Sequence, residues 1–226
     1  MQSIRILALA LLAVLGVASA RPALAQYNQQ QVVNQALNTV ERMKTDTNFQ
    51  KSFQPRLAKA HGVLIVPSLY KGGFILGGQY GDGVMLVRTA DGSWSYPAFY
   101  SMTGGSLGLQ IGVESAAIMF LMMNDKGVGA VMNSQFKFGA DAGVTFAVVG
   151  AGMNASTGTD TAADIIAFSL SGVGLYGGLS LEGTAVSPRE SWNAAYYGQN
   201  VSARAILLDR AATNNQADRL RDFLAR

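Results

Sequence analysis

Two glutamates are the side chains of this 226-residue chain whose placement comes nearest to catalytic chemistry. Glu114 and Glu182 each end a segment in which apolar residues alternate with glycine, a pattern that indicates a strand with one apolar and one bare face. Paired carboxylates at a suitable separation hydrolyse glycosides by general acid–base catalysis. The sequence leaves their separation open, and a strand-end carboxylate also pairs readily with Lys or Arg. We therefore expect structural roles for both glutamates and no catalytic residues.

Other catalytic and cofactor chemistries lack the side chains that they need. The chain has one histidine, His61, and no cysteine, which removes Ser-His-Asp and Cys-His machinery and the usual zinc ligands. Asp160 and Asp164 end a polar segment, 154–164, that offers oxygen ligands for calcium without the spacing of an EF-hand. The glycines of 77–83 are not followed by the Lys-Ser/Thr of a phosphate loop. We expect no cofactor and no metal site.

Helices at both ends of the chain are among the elements that must position these side chains. Apolar residues at three- and four-residue spacing predict a helix over 28–44 and a second helical stretch down to residue 60. The same spacing predicts a terminal helix over 215–225.

Short strands and glycine turns fill the region between the helices. Val63 to Val66 is predicted to be a buried strand ended by Pro67, and the segment 79–83, with its Asp-Gly dipeptide, a hairpin-like turn. The aromatic stretch 94–100 suits a lipid interface or the core, and core packing is the simpler account. This pattern predicts an α+β fold: a strongly curved, mostly antiparallel, glycine-rich β-sheet or barrel-like core with N-terminal and C-terminal helices.

Glycine recurs on one side of the alternating segments 107–114 and 172–182. Because glycine weakens an ordinary strand, its repetition indicates close approach of another backbone, a helix or a ligand. Tight packing at the corners of a curved sheet is the favoured interpretation. A bound acyl chain along the bare face is the alternative.

The first 25 residues have the three parts of a cleavable signal peptide: Arg5, an apolar run and an Ala23-Leu24-Ala25 cleavage site. The run is shorter than the roughly 20 residues of a membrane-spanning helix, and no cysteine marks a lipoprotein. We expect a periplasmic or secreted protein whose single mature domain covers 26–226. Its expected parts are a helical segment over 28–60, a β-rich core over 61–210 and the C-terminal helix.

Charge is unevenly distributed along the mature chain. Removal of Arg5 and Arg21 would leave 15 basic and 14 acidic side chains. Residues 26–60 carry five basic and two acidic side chains, whereas 61–188 carry four basic and eight acidic ones. An acidic middle argues against nucleic acid as a partner, while basic ends suit an anionic surface.

Eight short motifs follow one another along the chain. They are AHGVLIVP at 60–67, KGGF at 71–74, GGQYGDGVML at 77–86, WSYP at 94–97, GGSLGLQIG at 104–112, FGADA at 138–142, GLYGGLSLEG at 174–183 and NAAYYG at 193–198. In this order they resemble the bacterial SYLF domain family, whose domain is also described as a yeast-type actin-binding domain. One departure is AVVG at 147–150, where the family usually has a glycine-proline step.

The resemblance implies phospholipid binding rather than catalysis. Eukaryotic relatives are similar to a phosphoinositide-binding module that engages actin, but an exported protein meets neither cytoplasmic actin nor cytoplasmic phosphoinositides. Anionic phospholipid or a membrane surface is therefore the expected partner. The family places this ability partly in an amphipathic N-terminal helix with basic residues nearby. The corresponding candidate lipid-binding residues are Val33, Leu37, Val40, Arg42, Lys44, Lys51, Arg56, Lys59 and Lys71.

Three other functions stay open from the sequence. Exported, cysteine-free, glycine-rich alternating strands also suit an outer-membrane-associated β-barrel. An envelope scaffold that binds another protein, and a hydrolase that uses Glu114 and Glu182, are the other two.

Overall fold

An eight-stranded sheet with helices on both faces organises this protein in the computed structural model. The structure describes residues 28–47, 50–73, 76–107, 112–132, 136–138, 143–150, 163–171, 181 and 183–226. The predicted signal peptide, Asp160, Glu182 and the alternating glycines of 172–180 lie outside the described residues.

The helices and strands follow one another in an order that leaves the terminal helices outside the strand-rich middle. The helices are α1 at 28–45, α2 at Gln50–Lys59, α3 at Asp125–Met132, α4 at Glu190–Tyr197, α5 at Ala203–Leu207 and α6 at Asp218–Ala225, with a 3₁₀ turn at Asn215–Ala217 before α6. The strands are β1 at Gly62–Gly73, β2 at Leu76–Val87, β3 at Ala98–Leu107, β4 at Gly112–Met122, β5 at Phe136–Lys137, β6 at Phe146–Gly150, β7 at Ile165–Ser171 and β8 at Ala185–Pro188.

The strands lie side by side in the order β5-β8-β3-β2-β1-β4-β7-β6. Neighbouring strands are antiparallel except for β6 and β7, which are parallel. The sheet is curled, and the predicted α+β fold with a curved, mostly antiparallel sheet and terminal helices is confirmed.

Side chains of one strand alternate between two apolar core clusters, as the period of two requires. On β4, Met119 and Leu121 belong to a cluster shared with α1, α2, α4 and α6, whereas Ile118 and Phe120 belong to a second cluster shared with α3 and α5. The sheet is therefore covered on both sides. We call these sides the α1–α6 face and the α3–α5 face.

The two terminal helices lie together on the α1–α6 face. The Gln30 side-chain amide, early in α1, donates to the Gln216 carbonyl oxygen at 3.3 Å. Near the other end of α1, Lys44 Nζ donates to the Phe223 carbonyl oxygen of α6 at 2.7 Å. A cation at the end of a helix satisfies a free carbonyl and complements the helix dipole. The N-terminal and C-terminal basic segments therefore meet on one side of the sheet.

Pro67 does not end β1, contrary to the sequence-based prediction. The strand runs from Gly62 to Gly73, and its pairing with β4 shifts register between Val66 and Leu69. A register shift leaves a backbone position outside the ladder, where the missing N–H of proline costs little. Proline is therefore accommodated inside the strand.

The segment 79–83 does not form a turn, so that prediction is also wrong. β2 runs through it without interruption, in register with β3 from Leu76 to Met85. Asp82 is held by an ion pair with Arg189, and Gly83 lies against β1. Long-range contacts thus override the local turn preference of Asp-Gly.

Three short helices, α3, α4 and α5, lie within 61–210, which the sequence assigned to a β-rich core. The predicted helix over 28–44, the second helix and the terminal helix all form. No helix among the described residues is both long enough and apolar enough to span a bilayer.

Candidate functional site

An exposed pair of tyrosines lies at one end of the central strands. Tyr70 of β1 and Tyr80 of β2 are direct cross-strand partners, and they are 54% and 45% exposed. Leu208 is the other large apolar side chain with comparable exposure among the described residues. Both rings lie on the α1–α6 face, because Tyr80 is on the same side of β2 as Val84 of that core cluster.

The neighbouring strands continue this row with small polar side chains. Thr103 of β3 is opposite Tyr80, and Ser115 of β4 is opposite Tyr70. Both are exposed. The α1–α6 face is thus uncovered by described residues along a row that crosses four strands.

A bare row of glycines follows the tyrosines toward the strand ends. Gly78 and Gly105 are exposed cross-strand partners on the same face. A Cβ added at Gly105 would have no described atom within 4 Å, and one at Gly78 would meet only the Gly104 carbonyl oxygen at 4.0 Å. Packing within the described chain does not explain glycine at these positions. We define the tyrosine–glycine surface by its six residues, Tyr70, Gly78, Tyr80, Thr103, Gly105 and Ser115.

The glycines on the α3–α5 face of the same strands are crowded. A Cβ at Gly83 would lie 2.5 Å from the Ile65 carbonyl oxygen, and one at Gly81 would lie 2.8 Å from the Ser68 carbonyl oxygen. A Cβ at Gly104 would lie 2.7 Å from the Gln79 side-chain amide. Close packing against neighbouring atoms therefore explains glycine at these three positions, which lie outside the alternating segments 107–114 and 172–182.

A side-chain network fixes the position of Tyr80. Its hydroxyl donates to Asp82 Oδ1 at 2.7 Å, and Arg189 donates to the same carboxylate oxygen at 2.6 Å and to the Tyr80 hydroxyl at 3.2 Å. The Arg189 guanidinium lies over the Trp192 ring at 3.6 Å. Partial burial and then the bond to Asp82 raise the pKa of Tyr80. The Tyr80 hydroxyl is thus held by Asp82 and by Arg189, which precedes α4 and stacks on its Trp192.

The segments that hold the helices of the α1–α6 face are rich in basic side chains. Residues 28–59, which hold α1 and α2, and residues 213–226, which hold α6, carry eight basic and four acidic side chains. The other residues from 26 onward carry seven basic and ten acidic ones. α4 lies on the same face, and residues 189–197 add one basic and one acidic side chain, so the segments that hold these four helices carry a surplus of four positive charges.

The apolar candidate lipid-binding residues lie in the core. Val33, Leu37 and Val40 are at most 7% exposed and belong to the cluster of the α1–α6 face. The apolar stripe of α1 therefore packs on the sheet, and it would reach lipid only if the helix left the sheet.

The basic candidates are divided between surface and structural positions. Arg42 and Lys59 are exposed. Burial, and secondarily the charge of Arg226, lower the pKa of Lys44, which is bound to α6, while Arg56 donates to the Ser52 carbonyl oxygen at 2.9 Å. The Lys51 side chain lies outside the described residues. Lys71 is partly buried and follows Tyr70 on β1, so its side chain is directed to the α3–α5 face.

Among the carboxylates singled out for catalysis or calcium binding, Asp164 is the one whose side chain the structure describes. Glu114 of β4 is in register with Lys71 of β1. The Glu114 side chain and the whole of Glu182 lie outside the described residues. Asp164 accepts bonds from Lys126 Nζ at 2.8 Å, Asn124 Nδ2 at 2.7 Å and the Thr145 amide at 2.8 Å. These donors occupy the carboxylate, which joins α3 to the start of β7.

Sequence reasoning favoured core packing over a lipid interface for the aromatic stretch, and Trp94, Phe99 and Tyr100 are each at most 1% exposed. It missed Tyr70 and Tyr80 as a pair. Tyr70 and Tyr80 are cross-strand partners because β2 begins at Leu76. The predicted turn at 79–83 would have placed Tyr80 outside the strand.

The comparison with known families decides which group this chain belongs to. The model of the Ysc84 family, described as "Las17-binding protein actin regulator", matches residues 103–226, more than half of the chain. The chain belongs to the Ysc84 family. The resemblance to SYLF proteins is thereby confirmed. The match includes the second half of β3 and all of β4, and with them three residues of the tyrosine–glycine surface, Thr103, Gly105 and Ser115.

Several curated proteins are similar to this Ysc84-family chain. Protein YSC84 of Saccharomyces cerevisiae is 33% identical over 169 residues, which are 73% of this chain and 35% of the yeast protein. LAS seventeen-binding protein 3 of the same yeast is 32% identical over 157 residues, 68% of this chain and 34% of that protein. The human SH3 domain-containing YSC84-like protein 1 is 28% identical over 169 residues, 74% of this chain and 49% of the human protein.

This chain therefore spans only a third to a half of the length of these relatives. Membership of the Ysc84 family supports a binding role rather than a catalytic one.

Proposed function

We propose that this Ysc84-family protein binds anionic phospholipid surfaces reversibly, without catalysis, after export from the cytoplasm. The observation that carries the proposal is the surplus of four positive charges on the helices of the α1–α6 face. A surface with a surplus of positive charge attracts a surface of the opposite sign.

The expected strength agrees with reversible attachment. Each basic side chain near an anionic bilayer contributes about 1 kcal/mol, so a net four contribute on the order of 4 kcal/mol at low salt. At physiological ionic strength the screening length is only about 8 Å, which weakens the attraction. Electrostatics alone would therefore hold the protein loosely and release it as salt rises.

The burial of the α1 stripe supports docking of the folded domain. Val33, Leu37 and Val40 already contribute to the core, so exposing them to lipid would uncover the sheet below. Moving such side chains out of a core costs about 2 kcal/mol each before any gain from lipid. We therefore propose that α1 contributes Arg42 from its outer surface and stays on the sheet.

Co-sedimentation with vesicles tests the proposed function. Protein beginning at Gln26 should pellet with phosphatidylcholine vesicles that contain phosphatidylglycerol, and should stay in the supernatant with phosphatidylcholine alone. Pelleting should fall as sodium chloride rises. Equal behaviour with both vesicle types at low salt would overturn the proposal.

Substitution of two exposed arginines on opposite faces tests which face contacts the membrane. Arg219 of α6 and Arg204 of α5 are both exposed, and they lie on helices that cover opposite faces. Arg219→Gln should weaken binding to anionic vesicles roughly five-fold, the equivalent of about 1 kcal/mol. Arg204→Gln should change it less than two-fold, and the reverse order would place the contact on the other face.

Export is a separate part of the proposal and has its own test. Expression of the full chain in a Gram-negative bacterium should yield periplasmic protein whose N-terminal residue is Gln26, as read by mass spectrometry. Retention of Arg5 in a cytoplasmic product would contradict export while leaving vesicle binding to be judged on its own result.

The family description favours one second function, binding to another protein. Its phrase "actin regulator" names a partner that an exported protein would not meet. We expect no co-sedimentation with actin filaments under conditions where anionic vesicles are bound. Actin binding without vesicle binding would replace the lipid proposal.

A further inference from the structure

The tyrosine–glycine surface lies on the same side of the sheet as the basic helices. Tyr80 is on the same face of β2 as Val84, which packs in the core cluster of α1, α2, α4 and α6. A membrane that approaches this side would meet the cations of the helices and, beyond α4, the uncovered end of the strands. The basic helices and the two exposed rings would therefore face the same membrane.

We propose that Tyr70 and Tyr80 enter the interfacial layer of the bilayer, with the glycine row against lipid, and that they supply the apolar part of the attachment. This inference rests on the proposed phospholipid binding and identifies where it occurs. It also replaces the α1 stripe as the source of apolar contact, since that stripe is buried.

The chemistry of the two side chains matches the bilayer interface. Tyrosine has an apolar ring and a polar hydroxyl, and it is enriched where one end of a side chain is apolar and the other is wet. Thr103 and Ser115 extend the row with hydroxyls that can bind headgroup oxygens or water. Two apolar rings with hydroxyl groups on either side are suited to the boundary between headgroups and acyl chains.

The open glycines make room for lipid beside the rings. A Cβ added at Gly105 would have no described neighbour within 4 Å, and one added at Gly78 would have a single contact at 4.0 Å. A side chain at either place would rise between the membrane and the backbone. Because both positions are glycine, an acyl chain or glycerol backbone can lie flat against β2 and β3, next to Tyr80.

The network around Tyr80 reduces the entropic cost of binding. Asp82 and Arg189 hold its hydroxyl, and Arg189 is in turn stacked on Trp192. A ring that is already fixed loses little freedom when it is buried, so more of its contact energy contributes to binding. Tyr80 is thus a preorganised anchor.

Replacement of both tyrosines, compared with Leu208, tests the inference. Leu208 is 41% exposed and ends α5, which covers the α3–α5 face, so it is a matched apolar control. In protein beginning at Gln26, Tyr70→Ser combined with Tyr80→Ser should lower partition onto phosphatidylglycerol-containing vesicles by roughly ten-fold or more. Leu208→Ser should change partition less than two-fold.

The outcomes separate the two proposals. If the unaltered protein binds these vesicles and the double variant binds equally well, the tyrosine–glycine surface is not the contact and lipid binding stands. If the unaltered protein does not bind, both proposals fail. Equal losses in the double variant and in Leu208→Ser would also overturn the inference, because the effect would not be specific to one face.

A variant that keeps an aromatic ring guards against a folding artefact. Tyr70→Trp should bind at least as tightly as the unaltered protein, and its added tryptophan emission should shift to shorter wavelength with anionic vesicles. Bromine-labelled acyl chains should quench that emission. Tight binding without a shift or quenching would show that residue 70 stays in water and would overturn the inference.

Discussion

The two faces of the glycine-rich strand ends use the same residue type for opposite purposes. On the α3–α5 face, a Cβ at Gly81, Gly83 or Gly104 would lie less than 3.0 Å from a neighbouring atom, which at Gly81 and Gly83 includes backbone. On the α1–α6 face, a Cβ at Gly78 or Gly105 would have no described atom closer than 4.0 Å. Since adjacent strand residues point to opposite faces, β2 and β3 each carry both kinds. One strand thus provides close packing on one side and an accessible surface on the other.

Polar groups differ between the faces in the same way. On the α3–α5 face, the Gln79 amide donates to Thr184 Oγ1, and both residues are at most 5% exposed. On the α1–α6 face, Thr103 and Ser115 are exposed. Glycine and polar residues on the first face serve folding, while those on the second face are available for binding.

The largest expected effect comes from filling a crowded glycine. Gly83→Ala would place its Cβ 2.5 Å from the Ile65 carbonyl oxygen and 3.0 Å from a Val66 methyl group. We expect a loss of about 3 kcal/mol in the free energy of unfolding, measured by urea denaturation. Gly105→Ala is the matched control and should change it by less than about 0.5 kcal/mol. Similar losses at both positions would abolish the distinction between the faces.

The next effect concerns the bond that holds α3 beside the sheet. Bonds from Lys126, then from the Thr145 amide and from Asn124, keep the pKa of Asp164 well below its usual value. Asp164→Asn should lower the free energy of unfolding by about 2 kcal/mol near neutral pH, since it weakens charge-assisted bonds.

The pH dependence of this effect has a defined sign. The folded-state pKa of Asp164 lies below the unfolded value of about 3.9, so the carboxylate stabilises the fold fully above that pH. Its contribution is lost as pH falls through the folded-state pKa. The difference between the unaltered protein and Asp164→Asn, measured by urea denaturation, should shrink as pH is lowered below about 4. A constant difference would show that the charge of Asp164 is not what matters.

A smaller effect is expected from the buried polar pair. Thr184→Val would remove the acceptor of the Gln79 amide and leave its N–H groups buried without that partner. The free energy of unfolding should fall by about 1 kcal/mol in the same denaturation experiment. Thr103→Val, on the exposed face, should have no comparable effect. Equal losses would contradict the assignment of the two polar sets to folding and to binding.

The smallest expected effect on stability comes from the brace behind Tyr80. Arg189→Gln breaks a partly exposed ion pair with Asp82 and should cost less than about 1 kcal/mol of unfolding free energy. Its effect on anionic vesicle binding should exceed that of Arg210→Gln, which removes the ion pair between Arg210 and Asp91. Equal binding by the two variants would show that positioning of Tyr80 does not contribute.

Local periodicity was sufficient to predict the helical ends and the class of the fold. Val33, Leu37 and Val40 recur at helical spacing, and the helix forms where that spacing occurs. The same spacing did not reveal what the stripe packs against, because a protein core and a membrane select the same apolar residues. Only the position of α1 on the sheet distinguishes them.

The candidate site was harder to predict because it depends on register. The Asp-Gly step at 82–83 is a turn signal in isolation, but Gly83 is needed where β1 shifts register beside it. β1 ends at Gly73 and β2 begins at Leu76, which aligns Tyr70 with Tyr80 and separates open from crowded glycines. Neither result can be read from a window of sequence, since each depends on the partner strand.

Single-cysteine labelling tests most directly whether the α1–α6 face contacts lipid. The chain has no cysteine, so Thr103→Cys and Leu208→Cys each provide one labelling site, on opposite sides of the sheet. With an environment-sensitive fluorophore, Thr103→Cys should show a blue shift on anionic vesicles and quenching by labelled lipid, while Leu208→Cys should show neither. A response at Leu208→Cys alone, or equal responses at both sites, would contradict the account.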